Sequence, residues 1–226
     1  MRANTITENL IQLNRAHFVN AYLVREPDGF TLVDTTLGGA AEQLIAAARA
    51  ADGEIRRIAL THGHVDHAGS LDTLREQLGE GVEVLMGELD ARILAGEPVV
   101  DGKLRGTWAK VATKPDTLLH GGERIGSLEV VACPGHSPGH VAFLDTRGRA
   151  LIAGDTFTTY RRAEIPNRIM QTFPLATMGT QDRGQVVESA RALRALDAEV
   201  LVCGHGPAVH APAQAMDAAI ARAGER

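Results

Sequence analysis

Three histidines and one aspartate fall within six positions of the segment "LTHGHVDHAG", Leu60 to Gly69. Imidazole and carboxylate at that density are metal donors, and their spacing says how they could share an ion. In extended backbone, positions i and i+2 point the same way. His62 and His64 can therefore converge on one point, and Asp66 can follow if the chain stays extended. His67 opens the helical pattern that comes next and faces elsewhere. The segment thus offers two neighbouring ligand groups, unlike the helical HExxH arrangement, where a four-residue step supplies the shared face.

More donors lie downstream, each just past an apolar, strand-like stretch. "EVVACPGHSPGH" brings His136, "RALIAGDTF" brings Asp155 and "EVLVCGHGP" brings His205. A glycine precedes each of them (Gly135, Gly154, Gly204), permitting a sharp bend or a close approach. Several strand ends delivering His and Asp to one sheet edge is how an α/β scaffold assembles a site. The set His62, His64, Asp66, His67, His136, Asp155 and His205 contains no thiolate. It suits zinc, the default for hydrolysis, with Fe, Mn or Ni as alternatives. Seven donors exceed one tetrahedral ion, so two Zn2+ per chain is the natural count, with Asp155 as the carboxylate able to span both.

The elements that must position these residues alternate in type. Strand patterns cover 17–25, 30–34, 56–61, 82–86, 128–134, 140–145, 149–154 and 198–204, rich in Val, Ile and Leu and bounded by Gly, Pro or Asp. "PDG" and "TRG" read as hairpin turns. Helical spacing covers 40–51, 66–78, 88–94, 182–196 and 212–223. Strands that are both hairpin-paired and helix-separated predict mixed sheets covered by helices, an α/β layered fold. A chain of 226 residues suits one large domain spanning 1–226. Two stretches, 95–118 and 157–180, resist assignment and are expected to form the walls of a substrate pocket. Trp108, Phe157, Tyr160, Met170 and Phe173 would supply its apolar surface, and Arg161, Arg162 and Arg168 could bind a substrate carboxylate or phosphate.

Composition narrows the function. A net charge of -5 argues against a nucleic-acid partner. No apolar run approaches the length of a membrane span, and the first twenty residues lack the apolar core of a secretory signal. Cys133 and Cys203 are too few for a disulfide framework and read as buried strand residues. The expected compartment is the cytoplasm and the expected partner a small-molecule substrate. An exposed apolar patch on the long loops would suit a homodimer. His140 is expected to pack or hydrogen-bond near the site without ligating.

Taken in order, "HGHVDH", "PGHSPGHVAF", "AGDTF" and "CGHGP" resemble the successive metal motifs of the metallo-β-lactamase-fold superfamily, and "NAYLVREPDGFTLVDTTLG" resembles the strands with which such domains begin. The resemblance covers nearly the whole chain. It implies a four-layer αβ/βα sandwich of the metallo-β-lactamase type, its mixed sheets flanked by helices, with a dinuclear site on one edge and a ligand set like that of glyoxalase II. It further implies that His62, His64 and His136 hold the first ion, that Asp66, His67 and His205 hold the second, and that Asp155 and a water or hydroxide bridge them. Asp34 matches a family aspartate beside the site, suited to orienting a ligand histidine. The implied activity is hydrolysis of a small ester, thioester, lactone or related carbonyl compound by a metal-bridging hydroxide, with Asp66 orienting the nucleophile and relaying a proton. A mononuclear iron persulfide dioxygenase-like oxidoreductase, or a member cleaving β-lactams or phosphodiesters, is the alternative. About twenty residues follow His205, fewer than the helical extension with which glyoxalase II enzymes bind glutathione, so that thioester is not the expected substrate.

Overall fold

Alternation of side chains along each strand decides where the layers form. The computed structural model describes residues 1–170 and 173–224. Among these, a seven-stranded sheet runs in chain order: β1 (Arg2–Thr7), β2 (Leu10–Arg15), β3 (Val19–Glu26), β4 (Gly29–Val33), β5 (Ile55–Leu60), β6 (Glu83–Gly87) and β7 (Thr117–Leu119). It is antiparallel as far as β4 and parallel from β4 to β7. A six-stranded sheet contains β8 (Arg124–Ile125), β9 (Leu128–Ala132), β10 (Val141–Asp145), β11 (Ala150–Ile152), β12 (Val200–Val202) and β13 (Val209–His210), in the order β13-β12-β11-β10-β9-β8. Its β11 and β12 are parallel, and its other described pairings are antiparallel.

Successive residues of a strand face opposite sides, and the cores sort accordingly. Tyr22, Val24, Val141 and Phe143 meet between the two sheets with Val33, Val130 and Val202. Ala21 and Leu23, their neighbours in β3, face the opposite way and pack with α1 (Ala41–Ala50) and α3 (Leu71–Leu78) through Leu44, Leu71 and Leu74. On the far side, Ala142 and Leu144 of β10 pack with α6 (Gln185–Arg194) and α7 (Ala213–Gly224) through Val186, Ala190, Leu193 and Met216. The result is the four-layer αβ/βα sandwich expected from the sequence. No helix among the described residues is long and apolar enough to cross a membrane.

The two expected hairpin turns close β3–β4 and β10–β11. The helix expected over 66–78 is instead two pieces, α2 (Val65–Ala68) and α3, interrupted at Gly69–Ser70. A Cβ at Gly69 would overlap the Val65 carbonyl and the backbone of Gly38. Ser70 also turns its hydroxyl to the Leu37 carbonyl, 2.7 Å away, and accepts from the Ala40 N–H at 2.9 Å. The N-terminal hairpin β1–β2, the short strands β7, β8 and β13, and α5 (Pro174–Gly179) carry patterns too brief or too polar to read beforehand.

At one edge the sheets are tied by polar side chains buried among apolar ones. Asn20 donates through Nδ2 to the carbonyls of Cys203 and Gly206, at 2.9 and 2.8 Å. The Tyr22 hydroxyl donates to the same Cys203 carbonyl at 2.5 Å. These bonds bracket His205, so the first sheet holds a donor carried by the second. Replacing Asn20 with Ala is expected to cost about 1–3 kcal/mol, the usual penalty for removing buried hydrogen-bond partners, read as a fall of several degrees in Tm. An unchanged Tm would show that these bonds do not hold the seam.

Candidate metal centre

Every donor sits just beyond the C-terminal end of a strand. His62 and His64 follow β5, with Asp66 and His67 on the short α2; His136 follows β9, Asp155 follows β11 and His205 follows β12. All but Asp66 are buried. The structure brings the seven together as three overlapping groups: His62, His64 and His136; His62, His67 and Asp155; and Asp66, His67 and His205. Asp155 lies at their junction. One of its oxygens is 3.5 Å from His67 Nε2, and the other is 3.5 Å from His136 Nε2 and 3.2 Å from His205 Nε2. Asp66 reaches His205 Nε2 at 3.4 Å and His67 Nε2 at 3.9 Å. His64 turns Nδ1 inward, 3.1 Å from His136 Nε2.

The outward nitrogens of four of the five donor histidines, His64 being the fifth, are engaged. His67 Nδ1 is 2.8 Å from an Asp34 oxygen, His205 Nδ1 is 2.8 Å from the Phe18 carbonyl, His136 Nδ1 is 3.1 Å from Thr180 Oγ1, and His62 Nδ1 is 3.0 Å from Thr61 Oγ1. A ring whose Nδ1–H is donated outward presents a lone pair at Nε2, the form a metal ligand needs. On the inward side, His62 Nε2, His67 Nε2 and Asp155 Oδ1 are buried without a hydrogen-bond partner. Buried polar atoms left unpaired cost several kcal/mol between them, and divalent cations would satisfy all three. The donor set therefore fits metal.

Electrostatics divide the cluster. Burial, reinforced by neighbouring histidines, holds His62 and His136 well below the ordinary imidazole range. Burial acts against the charged form of His67 too, but Asp155, Asp34 and Asp66 overcome it and raise this group to about 9. His205 is raised to about 10 by Asp155 and Asp66 against the same burial penalty. Burial opposes ionisation of Asp66 as well, and His67 and His205 outweigh it, bringing the carboxyl down to about 2. Without metal, the half of the site nearest Asp66 thus holds protons that a cation must displace.

Backbone geometry permits this crowding. Gly154 takes φ +51°, and a Cβ at Gly204 would overlap Asp155 and the His67 ring. Asp34, itself at φ +61°, binds the Thr61 N–H at 2.8 Å as well as His67, so one carboxylate fixes both the end of β5 and a donor ring. His140 does not point at the cluster centre. Its Nε2 accepts from the Asp155 N–H at 3.0 Å, its Nδ1 faces Cys133 Sγ at 3.1 Å, and its ring stacks on His62 at 5.0 Å. Both cysteines are buried, and burial pushes both thiols up, Cys133 to about 12. They are packing residues.

A cavity of about 410 Å3 opens over the donors. Of the residues expected to wall it, Phe173 does so, but several others lie elsewhere. Phe157 is fully buried among the residues beneath α6 and α7. Met170 and Tyr160 pack behind Phe173 and Phe18, with the Tyr160 hydroxyl donating to the Phe18 carbonyl at 2.6 Å. Trp108 stands edge-on against the His64 ring at 5.0 Å and covers Gly63, behind the donor rather than in the cavity. Arg161 is exposed and outside the lining, and Arg162 pairs with Glu164 at 2.9 Å. Aromatic residues in irregular chain carry no periodicity to show which way they point. Phe18, by contrast, does line the cavity, lifted out of its expected strand by a turn in which Ala16 and His17 have φ +55° and +56°.

Residues 14–205 match the family model of the metallo-beta-lactamase superfamily. The chain belongs to that superfamily. The protein YobT of Bacillus subtilis (strain 168) is 36% identical over 91% of this chain and 90% of its own length. A hydroxyacylglutathione hydrolase of Rhodospirillum rubrum is 29% identical over 88% of this chain, which spans 63% of that relative's length. Among solved structures, TTHA1623 in a di-iron-bound form superposes with a TM-score of 0.68 at 29% identity, covering 89% of this chain and 94% of that one. This metallo-beta-lactamase superfamily member is a metal-dependent hydrolase with a His/Asp metal-binding cluster.

One residue in the frame of the site had no signal in the sequence. Asp90, on α4 (Glu88–Leu94), is fully buried. It accepts from the Gly63 N–H at 2.9 Å, the Ser137 hydroxyl at 2.6 Å and the Gly139 N–H at 2.6 Å. One carboxylate therefore clamps the loop of His62 and His64 to the loop of His136. Burial lifts its pKa to about 6 against the pull of these three donors. Asp90→Asn puts an amide N–H where a backbone N–H or hydroxyl donates. It is expected to weaken metal binding by about tenfold or more, measured by competition with a chelator of known affinity. Unaltered affinity in a folded variant would remove the clamp from the account.

Proposed function

We propose that this chain cleaves an ester, thioester or lactone at its carbonyl carbon with two metal ions, His62, His64 and His136 holding one and Asp66, His67 and His205 the other. The observation that carries this reading is the position of Asp155, whose two oxygens reach donors of both sets within 3.5 Å. Only a carboxylate so placed can serve two ions at once. Nitrogen and oxygen donors without thiolate suit zinc, which we propose as the working metal. Bound divalent cations supply an activated water and a Lewis acid for the carbonyl oxygen.

The chain's own residues then do the rest. Asp66 lines the cavity and stays ionised across the neutral range, so it can accept a hydrogen bond from the attacking water and carry a proton toward the leaving group. Asp34 and the Phe18 carbonyl keep His67 and His205 in the tautomer that faces inward. The kinship with a hydroxyacylglutathione hydrolase supports a thioester among the candidate bonds.

The test is metal analysis beside a panel of esters, thioesters, lactones and β-lactams. Near two zinc per chain with turnover of an ester, thioester or lactone is expected, and Asp155→Ala should hold at most one ion and lose activity. One iron per chain with oxygen consumption would replace hydrolysis by oxidation, and metal near zero in native protein would sink the reading.

A further inference from the structure

The cavity has a polar floor and apolar walls. Its floor is made by the donors His64, Asp66, His136, Asp155 and His205, while Phe18, Leu37, Val65, Phe173, Leu175 and Met178 supply apolar surface around them. Among the described residues no Lys or Arg lines it, and the three arginines expected to bind a substrate anion are not in its lining. Arg15, close by, is engaged with the Leu37 carbonyl.

The wall on α5 is unusual in its exposure. Leu175 is 56% exposed and Met178 is 62% exposed, and with Ile169 they make up half of the exposed large apolar side chains among the described residues. Leu175 and Met178 are three positions apart and share one face of α5. That face is not loosely attached. Thr177 donates to the Arg168 carbonyl at 2.6 Å, and Thr180, which donates to the Ala176 carbonyl at 2.8 Å, also meets His136 Nδ1. At the start of the same helix, Phe173 packs on the His205 ring at 4.5 Å and on Phe18 at 5.4 Å. Both ends of α5 are therefore fastened to donor histidines, and apolar surface is held beside the reacting carbonyl where it faces water. Concentrated exposed apolar surface of this kind marks a binding site.

We infer that this cavity takes an uncharged, apolar acyl group of several carbons, seated between Phe18, Phe173, Leu175 and Met178 with its carbonyl over the donor cluster. The inference rests on the hydrolytic reading and adds the substrate class. An acyl chain covers Leu175 and Met178 and gains about fourfold in binding for each methylene buried. A carboxylate or phosphate at the far end of the same chain would lie against the apolar surface with no Lys or Arg among the described lining residues to pair it, which is unfavourable.

The experiment compares acetyl, butyryl and hexanoyl thioesters of N-acetylcysteamine, and the adipoyl thioester, on the metal-loaded enzyme. It adds calorimetric binding of the corresponding N-methylamides, which carry no good leaving group. Expected results are a rise in kcat/KM of about fourfold per methylene up to hexanoyl and a deficit of about 100-fold for adipoyl against hexanoyl, with the amides ranking alike. In the surface double variant Leu175→Ser, Met178→Ser, the hexanoyl-to-acetyl ratio should fall by about tenfold. A flat chain-length series, a preference for adipoyl, or an equal loss for every chain length in the double variant would overturn the inference. If none of these thioesters is hydrolysed, thioester cleavage fails, and the amide series still decides the pocket: a rise with chain length supports it and a flat series ends it.

Discussion

A carboxylate buried among imidazoles has to be matched in charge, and the rest of the structure follows from how that is done at Asp155. Its two oxygens stand between histidines delivered by three different strands of two different sheets. Such a group is tolerable only if cations or protonated rings complete it. The fold answers with converging strand ends, outward hydrogen bonds that fix four of the five rings, and glycines where a side chain would collide with the cluster. Asp34, Asp90 and the Phe18 carbonyl serve the same end from outside, each holding a donor or the loop that carries it.

The layers and the donors were legible in the sequence for one physical reason. Strand alternation and strand-end glycines are local signals, and each donor lies two to seven residues past the end of the strand that aims it. Asp90 was invisible because an acidic residue in the first turn of a helix reads as an ordinary dipole partner, and only the tertiary structure shows it buried against two loops. The long helix over 66–78 failed for a related reason. Gly69 is compatible with a helix locally, and the contact with Gly38 that breaks it comes from elsewhere in the chain.

The pocket shows the sharper limit. Trp108, Phe157 and Met170 are as apolar as Phe173 and sit in the same irregular stretches, yet one braces a donor, one fills a core and one packs behind the wall. Composition told which residues would be buried without telling what they would be buried against. α5 was missed because six residues cannot display a helical period, although it supplies the most exposed part of the cavity.

Phe18 joins the two halves of the site in a single residue. Its ring lines the cavity and touches the His205 ring at 5.1 Å, while its carbonyl accepts from His205 Nδ1 and from the Tyr160 hydroxyl. An occupant that moved the Phe18 backbone would act on the carbonyl that holds His205 Nδ1. Linkage is reciprocal: whatever free energy an occupant exchanges with the ion through Phe18, the ion returns to the occupant. Substrate choice and metal affinity would be coupled to the extent that Phe18 answers to both.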